Sequence, residues 1–547
     1  MNDTIVTAHH DIAILGGGLA GLTLALQLKR RDPGIDIVVI ERRAHPVPEA
    51  AFKVGESTVE IGAHYFADVL GLRAHLDAQQ LRKFGFRFFF SDGRSDVDRC
   101  TELGVSRILP MPSWQIDRGR FENFLGEEAQ RLGVRFVDGA TVRGIDFGAG
   151  EAPHHVAFER DGVRGTVTCR WAVDASGRAG LIKRKLDLAL PEAHDANAVW
   201  WRVDGQLDPN EWSDDADWRA RCTPPDRWRS TNHLCGEGYW VWMIPLSSGA
   251  HSLGIVCDAA LHPLETMNTH QKAMDWLRRH QPRLAAALDK PEHGLQDFAF
   301  FRHFSYGCTQ VFSADRWALT GEAGVFLDPF YSPGSDFIAI SNTLICDLIA
   351  RDRAGRGFAP YAEIYQQLYF GFFENTMTLY RGQYALFGDA QVMPLKIIWD
   401  YTYYWALLAP LFCGDKLTAL PLLGRLRPQF ERGRALNLAM QALLRAWGEA
   451  NRAAGIDAHA HDGRLLDQYK IDWFHEMNRA LHDALDDDAF AARIAANVAR
   501  MEWLASETLA QARSAHGGVD DCGLGALLVD APVEPSLAAE WYAETVR

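Results

Sequence analysis

The sequence predicts an α/β fold of the Rossmann type, joined to a mostly antiparallel β region and to a C-terminal helical region. Three observations predict this class. A strand, a glycine turn, a helix and a second strand follow one another from Asp11 to Glu41, alternating apolar strands dominate residues 190 to 310, and helical patterns prevail beyond Arg351. Strands that alternate with helices are typical of a parallel sheet, and successive strands are typical of an antiparallel one.

The turn of the first unit carries a glycine motif in the context that the motif requires. Gly16, Gly18 and Gly21 fit the pattern G-x-G-x-x-G, directly after an apolar strand, and Leu19 and Ala20 open the helix. These glycines permit a tight turn, close approach of backbone to a diphosphate, and close packing of helix on strand. The segment therefore predicts a dinucleotide-binding βαβ unit.

A carboxylate follows the second strand of this unit at the expected distance. Glu41 lies twenty residues after Gly21, beside Arg42, at the end of the buried strand 37–40. At this spacing a carboxylate accepts hydrogen bonds from a ribose hydroxyl of the dinucleotide.

Composition restricts the classes of partner and compartment. The chain has 547 residues, 48% hydrophobic and 23% charged, which is long enough for two or three domains. The net charge of −15 argues against nucleic acid as a partner. Nine cysteines without a C-x-x-C pair indicate neither a zinc ribbon nor a disulfide framework. With no signal-like start and no apolar run of about 18 residues, a cytoplasmic protein without a transmembrane segment is expected.

A glycine-rich stretch precedes the next helical pattern. Gly55, Glu56 and Ser57, followed by Thr58, open a helical pattern that runs to Leu72. Backbone N–H groups and the hydroxyls there can face an anion or the cofactor; the alternative is an ordinary N-cap.

Two later segments can also approach the cofactor. Arg118 lies at the start of a helix predicted over 121–132, where it would either reach the dinucleotide or form a surface ion pair. A buried strand ends at Asp174 and continues into Ala175 and Gly177, where backbone can again approach a cofactor. This second motif is typical of flavin proteins.

The chain is predicted to return to the first domain near residue 317. Gly321 and Glu322 follow a short strand, and a loop from Asp328 to Gly334 precedes a helix predicted over 337–349. The segment 351–357 is the best candidate for a linker.

The central region reads as a large sheet. Phe84 to Phe90 and Trp240 to Pro245 are strand-like, and residues 141–172 form a β meander around the turn Asp161-Gly162. The aromatic stretch 395–412 contains a lysine and an aspartate, so we expect it to pack on the substrate domain.

The predicted domain borders follow from these segments. A dinucleotide-binding domain of the Rossmann type covers residues 8–83, 110–185 and 314–350 in three segments. A β-sheet substrate domain covers 84–109 and 186–313, and a C-terminal helical domain covers 351–547.

This ordered set of motifs resembles FAD-dependent monooxygenases of the hydroxybenzoate-hydroxylase fold over roughly residues 8 to 350. Trp240-x-Trp242-x-Ile244-Pro245 matches the W-x-W-x-I-P signature of flavin-dependent halogenases, as does the stretch Lys53-Val54-Gly55-Glu56-Ser57. The Y-x-W-x-F-P signature of geranylgeranyl reductases is matched less well, because Trp240 occupies the tyrosine position.

The resemblance implies FAD as the cofactor, a separate flavin reductase, and reaction of reduced FAD with O2 to a hydroperoxyflavin. It also implies which residues form the site. The cofactor-binding residues would be Gly16, Gly18, Leu19, Ala20, Gly21, Glu41, Arg42, Gly55, Glu56, Ser57, Arg118, Asp174, Ala175, Gly177, Gly321, Glu322, Pro329, Gly334 and Ser335. The substrate pocket would contain Phe88, Trp240, Trp242 and Pro245.

The chain departs from the halogenases at the catalytic lysine. Halogenases carry a lysine at the end of a G-x-x-F-K or G-A-F-K segment, whereas the matching segment here, 85–89, has none. Lys83 lies before the glycine, and a shift of one residue along a strand already reverses the face of the side chain. Lys83 is therefore interpreted as a solvated lysine at the end of a strand.

The second departure lies in the loop that holds halide. Tryptophan halogenases have a glutamate followed by S-T-G there, and this chain has Tyr331, Ser332, Pro333 and Gly334. Pro333 offers no N–H group to a halide ion.

The sequence alone therefore favours an FAD-dependent oxidoreductase of the halogenase-like group that oxygenates a small aromatic or conjugated substrate, free or carrier-bound. The alternatives are a flavin-dependent halogenase of an aromatic or carrier-bound substrate, and a flavin-bound protein that binds a partner such as a carrier protein. The catalytic candidates are Tyr331, Lys83 and Ser332. Further acid or base candidates are Asp336, His233, His251 and His303.

Overall fold

The computed structural model describes residues 6–50, 52–456 and 463–528. Its backbone contacts divide the chain into two compact units. The first unit comprises the chain up to Gln80, Ile116–Ala193 and Phe304–Glu374. The second comprises Leu81–Gln115, His194–His303 and the chain from Asn375 onward.

The strands and helices alternate along the first part of the chain and give way to helices in the last part. The strands are β1 (Val6–Leu15), β2 (Ile37–Ile40), β3 (Leu81–Arg82), β4 (Phe86–Phe90), β5 (Glu102–Gly104), β6 (Trp114–Gln115), β7 (Arg135–Val137), β8 (Ala140–Asp146), β9 (His154–Arg160), β10 (Val163–Asp174), β11 (Ala189–Pro191), β12 (Ala196–Val203), β13 (Thr231–Gly236), β14 (Tyr239–Pro245), β15 (His251–Asp258), β16 (Leu295–Phe301), β17 (Tyr306–Cys308), β18 (Trp317–Leu319) and β19 (Leu465–Asp467). The helices are α1 (Leu19–Arg31), α2 (Glu60–His64), α3 (Arg73–Gln79), α4 (Arg118–Arg131), α5 (Leu181–Lys185), α6 (Ala216–Ala220), α7 (His270–His280), α8 (Pro282–Leu288), α9 (Gly334–Arg353), α10 (Ala359–Met377), α11 (Val392–Tyr403), α12 (Ala409–Cys413), α13 (Leu420–Ala453), α14 (Asp472–Arg479), α15 (Asp487–Ala515) and α16 (Leu524–Leu527).

The first unit is built on a sheet whose strand order is β7-β2-β1-β10-β9-β8, with β18 beside β10. β1 pairs in parallel with both β2 and β10, and β10 pairs in parallel with β18. β8, β9 and β10 form the expected antiparallel meander, and Asp161 and Gly162 at its turn both have positive φ. The Rossmann-type fold predicted from the sequence is confirmed.

The helical pattern predicted to open near Gly55 and run to Leu72 is wrong in its details. The helix α2 begins only at Glu60 and continues as a π-helical turn over Tyr65–Val69, and a separate helix, α3, follows from Arg73. The residue that precedes α2 is Val59, which has no polar side-chain group to cap a helix. Ser57 and Thr58 are buried ahead of it, so the N-cap alternative for these two residues is also wrong.

The second unit contains an eight-stranded sheet of order β16-β12-β15-β14-β13-β4-β5-β19. Its pairs are antiparallel except β4 with β13 and β5 with β19. One face packs on α7 and α8 and forms a large apolar core. That core includes Phe89, Trp201, Leu234, Val241, Met243, Ile255, Trp276, Leu277 and Leu284.

The C-terminal part of the second unit is helical, as predicted, with α13 packed on α11 and α15. The aromatic stretch 395–412 lies in α11, a π-helical turn and α12, and its two charged residues, Lys396 and Asp400, form a buried ion pair of 2.6 Å. No helix in the described ranges is both long and apolar enough to cross a membrane. The helix predicted over 337–349 is the longer α9, so the linker candidate 351–357 begins inside that helix.

Candidate functional site

The glycine loop at the end of β1 is shaped by contacts that leave no room for side chains. Gly16 has a φ of +120°, and a Cβ there would lie 2.3 Å from the carbonyl oxygen of Ala175. A Cβ on Gly21 would lie 2.0 Å from the carbonyl oxygen of Gly16. Packing within the protein alone therefore requires glycine at both positions.

Gly18 differs from the other two glycines. Its φ of −86° and ψ of −168° are open to any residue, and a Cβ there would have no described heavy atom within 4 Å beyond its chain neighbours. The open space lies at the N-terminus of α1, where N–H groups and the helix dipole favour an anion. The loop therefore fits a diphosphate that approaches bare backbone.

Glu41 is held beside this loop by two backbone N–H groups. Its Oε2 accepts a hydrogen bond of 2.6 Å from the N–H of Gly17, and its Oε1 accepts one of 2.7 Å from that of Arg43. A carboxylate has about four acceptor positions, so the fixed group keeps capacity for a ribose hydroxyl. Arg42, the next residue, is exposed.

The turn after β10 is organised by the buried carboxylate of Asp174. Its two oxygens accept hydrogen bonds from the N–H groups of Ser176 (2.9 Å) and Ile182 (2.7 Å), and burial raises its pKa. Ala175 packs on the glycine loop, and Gly177 has a φ of +62° with open space at its Cβ position. Asp174 thus shapes the turn, while Ala175 and Gly177 present backbone.

The turn after β18 lies against the first helix. Gly321 has a φ of +58°, and a Cβ there would lie 3.0 Å from Cβ of Ala20. The carboxylate of Glu322 is 3.5 Å from Nε of Arg178. The turns after β1, β10 and β18 therefore meet at the carboxyl edge of the parallel strands, which is where open α/β sheets bind ligands.

Arg118 braces the loop that contains Gly55, Glu56 and Ser57. Its guanidinium donates to the carbonyl oxygen of Val54 (2.6 Å) and to Glu122 (2.6 Å), and the ammonium of Lys53 pairs with the same carboxylate. The Arg118 side chain is only 15% exposed, so the alternative of a surface ion pair is wrong. Sequence reasoning missed Glu122, although its i,i+4 spacing from Arg118 is a recognisable signal.

The loop before α9 is tightly folded. Pro329 begins a single helical turn after Asp328, whose carboxylate accepts the N–H of Phe330 at 2.9 Å. The ring of Tyr331 lies 4.7 Å from that of Phe330, and Ser332 has a φ of +53°.

Pro333 precedes α9, and Gly334 and Ser335 form its first turn. Gly334 is exposed, and a Cβ there would meet no described heavy atom within 4 Å. The N–H groups of a first helical turn have no acceptor within the helix, so Gly334 and Ser335 present donors that Pro333 lacks.

Three of the four predicted pocket residues, Phe88, Trp240 and Trp242, share one face of the sheet of the second unit. Phe88 pairs with His233, His233 with Trp242, and Trp242 with Gly254, across four neighbouring strands. Directly paired residues point to the same side, which here is opposite the core that packs on α7 and α8. We call the residues Phe86, Phe88, His233, Trp240 and Trp242 the aromatic row. Pro245 ends β14 and is buried.

Ring contacts hold the aromatic row together. His233 stacks on Phe88 with ring centres 4.7 Å apart, and Trp240 lies 5.1 Å from His233. The Trp242 ring covers Gly254, where a Cβ would lie 2.2 Å from it. The ring centre of Tyr401, in α11, lies 6.2 Å from that of Phe86. Sequence reasoning missed Phe86 and Tyr401, because their places depend on pairing and packing between distant segments.

Lys83 is buried at the edge of the aromatic row. Lys83 is 3% exposed, and its Nζ atom lies 3.4 Å from the centre of the Phe86 ring. The interpretation of Lys83 as a solvated lysine is therefore wrong. Because a sheet pairs segments that are distant in sequence, the pattern around residue 83 did not reveal its burial.

The other acid or base candidates have structural contacts. The imidazole Nδ1 of His251 lies 3.2 Å from the N–H of Leu207, and burial lowers the pKa of His251 to about 3. His303 pairs with Asp195. Asp336 accepts the N–H of Gly62 at 2.8 Å and so ties α9 to α2. Of the four, only His233 lies in the aromatic row.

Comparison with known proteins agrees with this arrangement. Residues 9–273 match the family model described as an FAD binding domain. Flavin-dependent halogenase chlA of Dictyostelium discoideum is 26% identical over 495 residues, which cover 85% of this chain and 81% of that protein. The 1H-pyrrole-2-carbonyl-(peptidyl-carrier protein) brominase of Pseudoalteromonas luteoviolacea is 25% identical over 334 residues, 60% of this chain and 74% of its own.

Solved structures show the same fold. Halogenase PltM in complex with phloroglucinol and FAD superposes with a TM-score of 0.63 and 17% identity, over 89% of this chain and 96% of that one. The flavin-dependent halogenase CmlS superposes with a TM-score of 0.53 and 24% identity, over 72% of this chain and 65% of that one.

The fold and the glycine loop define a flavoprotein whose cofactor is FAD. The chain is similar to flavin-dependent halogenases over most of its length, and it is an FAD-dependent enzyme of the monooxygenase/halogenase type.

Proposed function

We propose that this enzyme halogenates an electron-rich aromatic substrate and that Lys83 is its catalytic lysine. One observation carries the proposal: Lys83 is 3% exposed and lies 3.4 Å from the Phe86 ring centre, at the edge of a buried aromatic row. Burying an ammonium group is costly, and a lysine that only served solubility would lie in water. The halogenase names of the relatives that span most of the chain support the same chemistry.

FAD, when bound and reduced, supplies the electrons that O2 needs to oxidise a halide to hypohalous acid. The chain's own residues would then act on that acid. The ammonium of Lys83 would hold it and donate a proton to its oxygen while the ring carbon forms the carbon–halogen bond. The ring then loses its proton, so that one water molecule is released for each halogen added. The aromatic row would bind the arene on its flat face and exclude water.

Halide binding would use the start of α9. Pro333 removes one N–H donor, but the first-turn N–H groups of Gly334 and Ser335 remain, and the positive end of the helix dipole favours an anion. Because Gly334 has open space where a side chain would stand, an ion can approach its backbone. In this proposal the cofactor-binding residues named in the sequence analysis bind FAD.

Oxygenation of the substrate is the second candidate. Pro333 favours it, because a lost hydrogen bond to a charged group is worth about 1.5–3 kcal/mol, or roughly one to two powers of ten in halide affinity. Tyr331, where tryptophan halogenases have a glutamate, also favours oxygenation.

We further propose that a separate flavin reductase supplies reduced FAD, since the sequence has one convincing dinucleotide-binding motif. The substrate can be free or attached to a carrier protein. Two relatives named as a brominase and a chlorinase of pyrrole-2-carbonyl carrier proteins support the second form.

Lys83→Met tests the proposal. Methionine keeps the length and apolar contacts of the side chain, so the fold and the consumption of O2 should be unchanged. Brominated product should fall by about 100-fold or more, the usual effect of removing an acid–base group. Lys290→Met, which changes an exposed lysine, is the matched control and should leave product unchanged. Bromination at the parent rate by Lys83→Met would refute the assignment of Lys83.

A further inference from the structure

Gln383 is a fully buried side chain whose polar atoms have no partner among the residues that the structure describes. It is 0% exposed, and neither Oε1 nor Nε2 makes a hydrogen bond to any described residue. A buried amide without partners is unfavourable, whereas leucine or methionine would fill the same volume without that cost. The group therefore bonds something other than the described residues, either a buried water molecule or a bound ligand.

The backbone around Gln383 is held by three hydrogen bonds. The N–H of Gln383 donates to Tyr380 at 3.1 Å, and the carbonyl oxygen of Tyr384 accepts the N–H of Gly238 at 3.0 Å. The carbonyl oxygen of Ala385 accepts a hydrogen bond of 3.1 Å from Arg452. The carboxamide is thus attached to a segment whose backbone is held by hydrogen bonds.

This segment adjoins the aromatic row. The hydroxyl of Tyr384, the residue after Gln383, accepts a hydrogen bond of 3.1 Å from Nε1 of Trp240. The ring of His194 lies 5.3 Å from that of Tyr384. Gln383 is therefore next in sequence to the residue that binds the row's Trp240.

We propose that Gln383 is a specificity-determining residue that binds an amide-like edge of the aromatic substrate. A carboxamide offers one acceptor and two donors side by side, so its complement is a donor next to an acceptor. The substrate class is an arene that carries a carboxamide, or a hydroxyl ortho to a carbonyl group. This assignment rests on the proposed function, because it places the arene of that reaction at the aromatic row.

The first part of the test measures stability without substrate. Gln383→Met removes both polar atoms at nearly equal length, and it should raise the midpoint of thermal unfolding. Gln441→Met is the matched control, because Gln441 is also buried but bonds Lys396 at 2.8 Å and Asp400 at 2.7 Å. The control should lower the midpoint. If Gln383→Met and a second variant, Gln383→Leu, both lower the midpoint, the carboxamide has a structural role and the proposal fails.

The second part measures the affinity of the FAD-loaded enzyme for two pairs of probes. Salicylamide is compared with phenol, and pyrrole-2-carboxamide is compared with pyrrole. The parent enzyme should bind each amide more tightly than its plain ring, by about tenfold for each hydrogen bond gained. Gln383→Met should remove this preference and leave the affinity for phenol and pyrrole unchanged. A parent enzyme without the preference, or an equal loss for all four probes, would overturn the proposal.

The two parts separate failure of Gln383 from failure of the reaction. If the preference is present and is lost in Gln383→Met, but no probe is halogenated, the proposed function fails and the binding role of Gln383 stands. If salicylamide is halogenated and Gln383→Met binds and converts it like the parent enzyme, only the role of Gln383 fails.

Discussion

Replacement of Gly18 by valine separates the binding of FAD from the stability of the fold. A side chain at this position enters open space at the start of α1, with no described heavy atom within 4 Å of its Cβ beyond chain neighbours. The backbone there is extended, so valine is sterically allowed. Folding should be weakened by no more than about 1 kcal/mol, the usual range for a changed N-cap.

The effect on FAD should be much larger. If valine removes two hydrogen bonds from backbone N–H groups to the diphosphate, at about 1.5–3 kcal/mol each, affinity falls by roughly two to four powers of ten. Gly21→Ala is the contrasting variant, because its Cβ would lie 2.0 Å from the Gly16 carbonyl oxygen. Overpacking of this kind should lower the stability of the FAD-free protein by about 1–3 kcal/mol or more.

Flavin fluorescence titration and urea unfolding of the FAD-free protein measure the two quantities. Gly18→Val should lose FAD and keep its unfolding midpoint, while Gly21→Ala should lower the midpoint. Parent-like affinity for FAD in Gly18→Val would refute the assignment of the diphosphate to this loop.

His251 has a folded pKa of about 3 against about 6.5 when unfolded, so its contribution to stability is complete above pH 6.5 and is lost as the pH falls toward 3. The free energy of unfolding, measured by urea titration, should fall between pH 7 and pH 4.5 in the parent by about 2–3 kcal/mol more than in His251→Asn. An equal fall in both proteins would contradict a buried neutral imidazole. NADPH alone should reduce the bound FAD slowly under anaerobic stopped flow, and rapid stoichiometric bleaching would show that no reductase is needed.

The FAD unit could be predicted from sequence because its signals are local. Gly16, Gly18, Gly21 and Glu41 lie within one βαβ unit, where spacing alone sets which residues meet. The meander turn at Asp161 was equally local, since an Asp-Gly pair allows the two positive φ angles that a tight hairpin needs.

The substrate side could not be predicted in the same way. The pairing of Phe88 with His233 joins strands that are far apart in the chain, and the N–H of Lys83 likewise bonds the distant Ser113. Gln383 gave no sequence signal, because a glutamine in a helical stretch is usually exposed. The helical pattern after Gly55 was misread because apolar spacing does not reveal a π-helical turn.

We expect the enzyme to add halogen rather than oxygen to an aromatic ring. The most direct measurement supplies the parent enzyme with reduced FAD, oxygen-18 gas, excess bromide and a phenol or pyrrole, with catalase present, and determines the product mass. We expect a brominated product without oxygen-18, formed only with enzyme. A product that contains oxygen-18 and no bromine would contradict this expectation and establish the enzyme as an oxygenase.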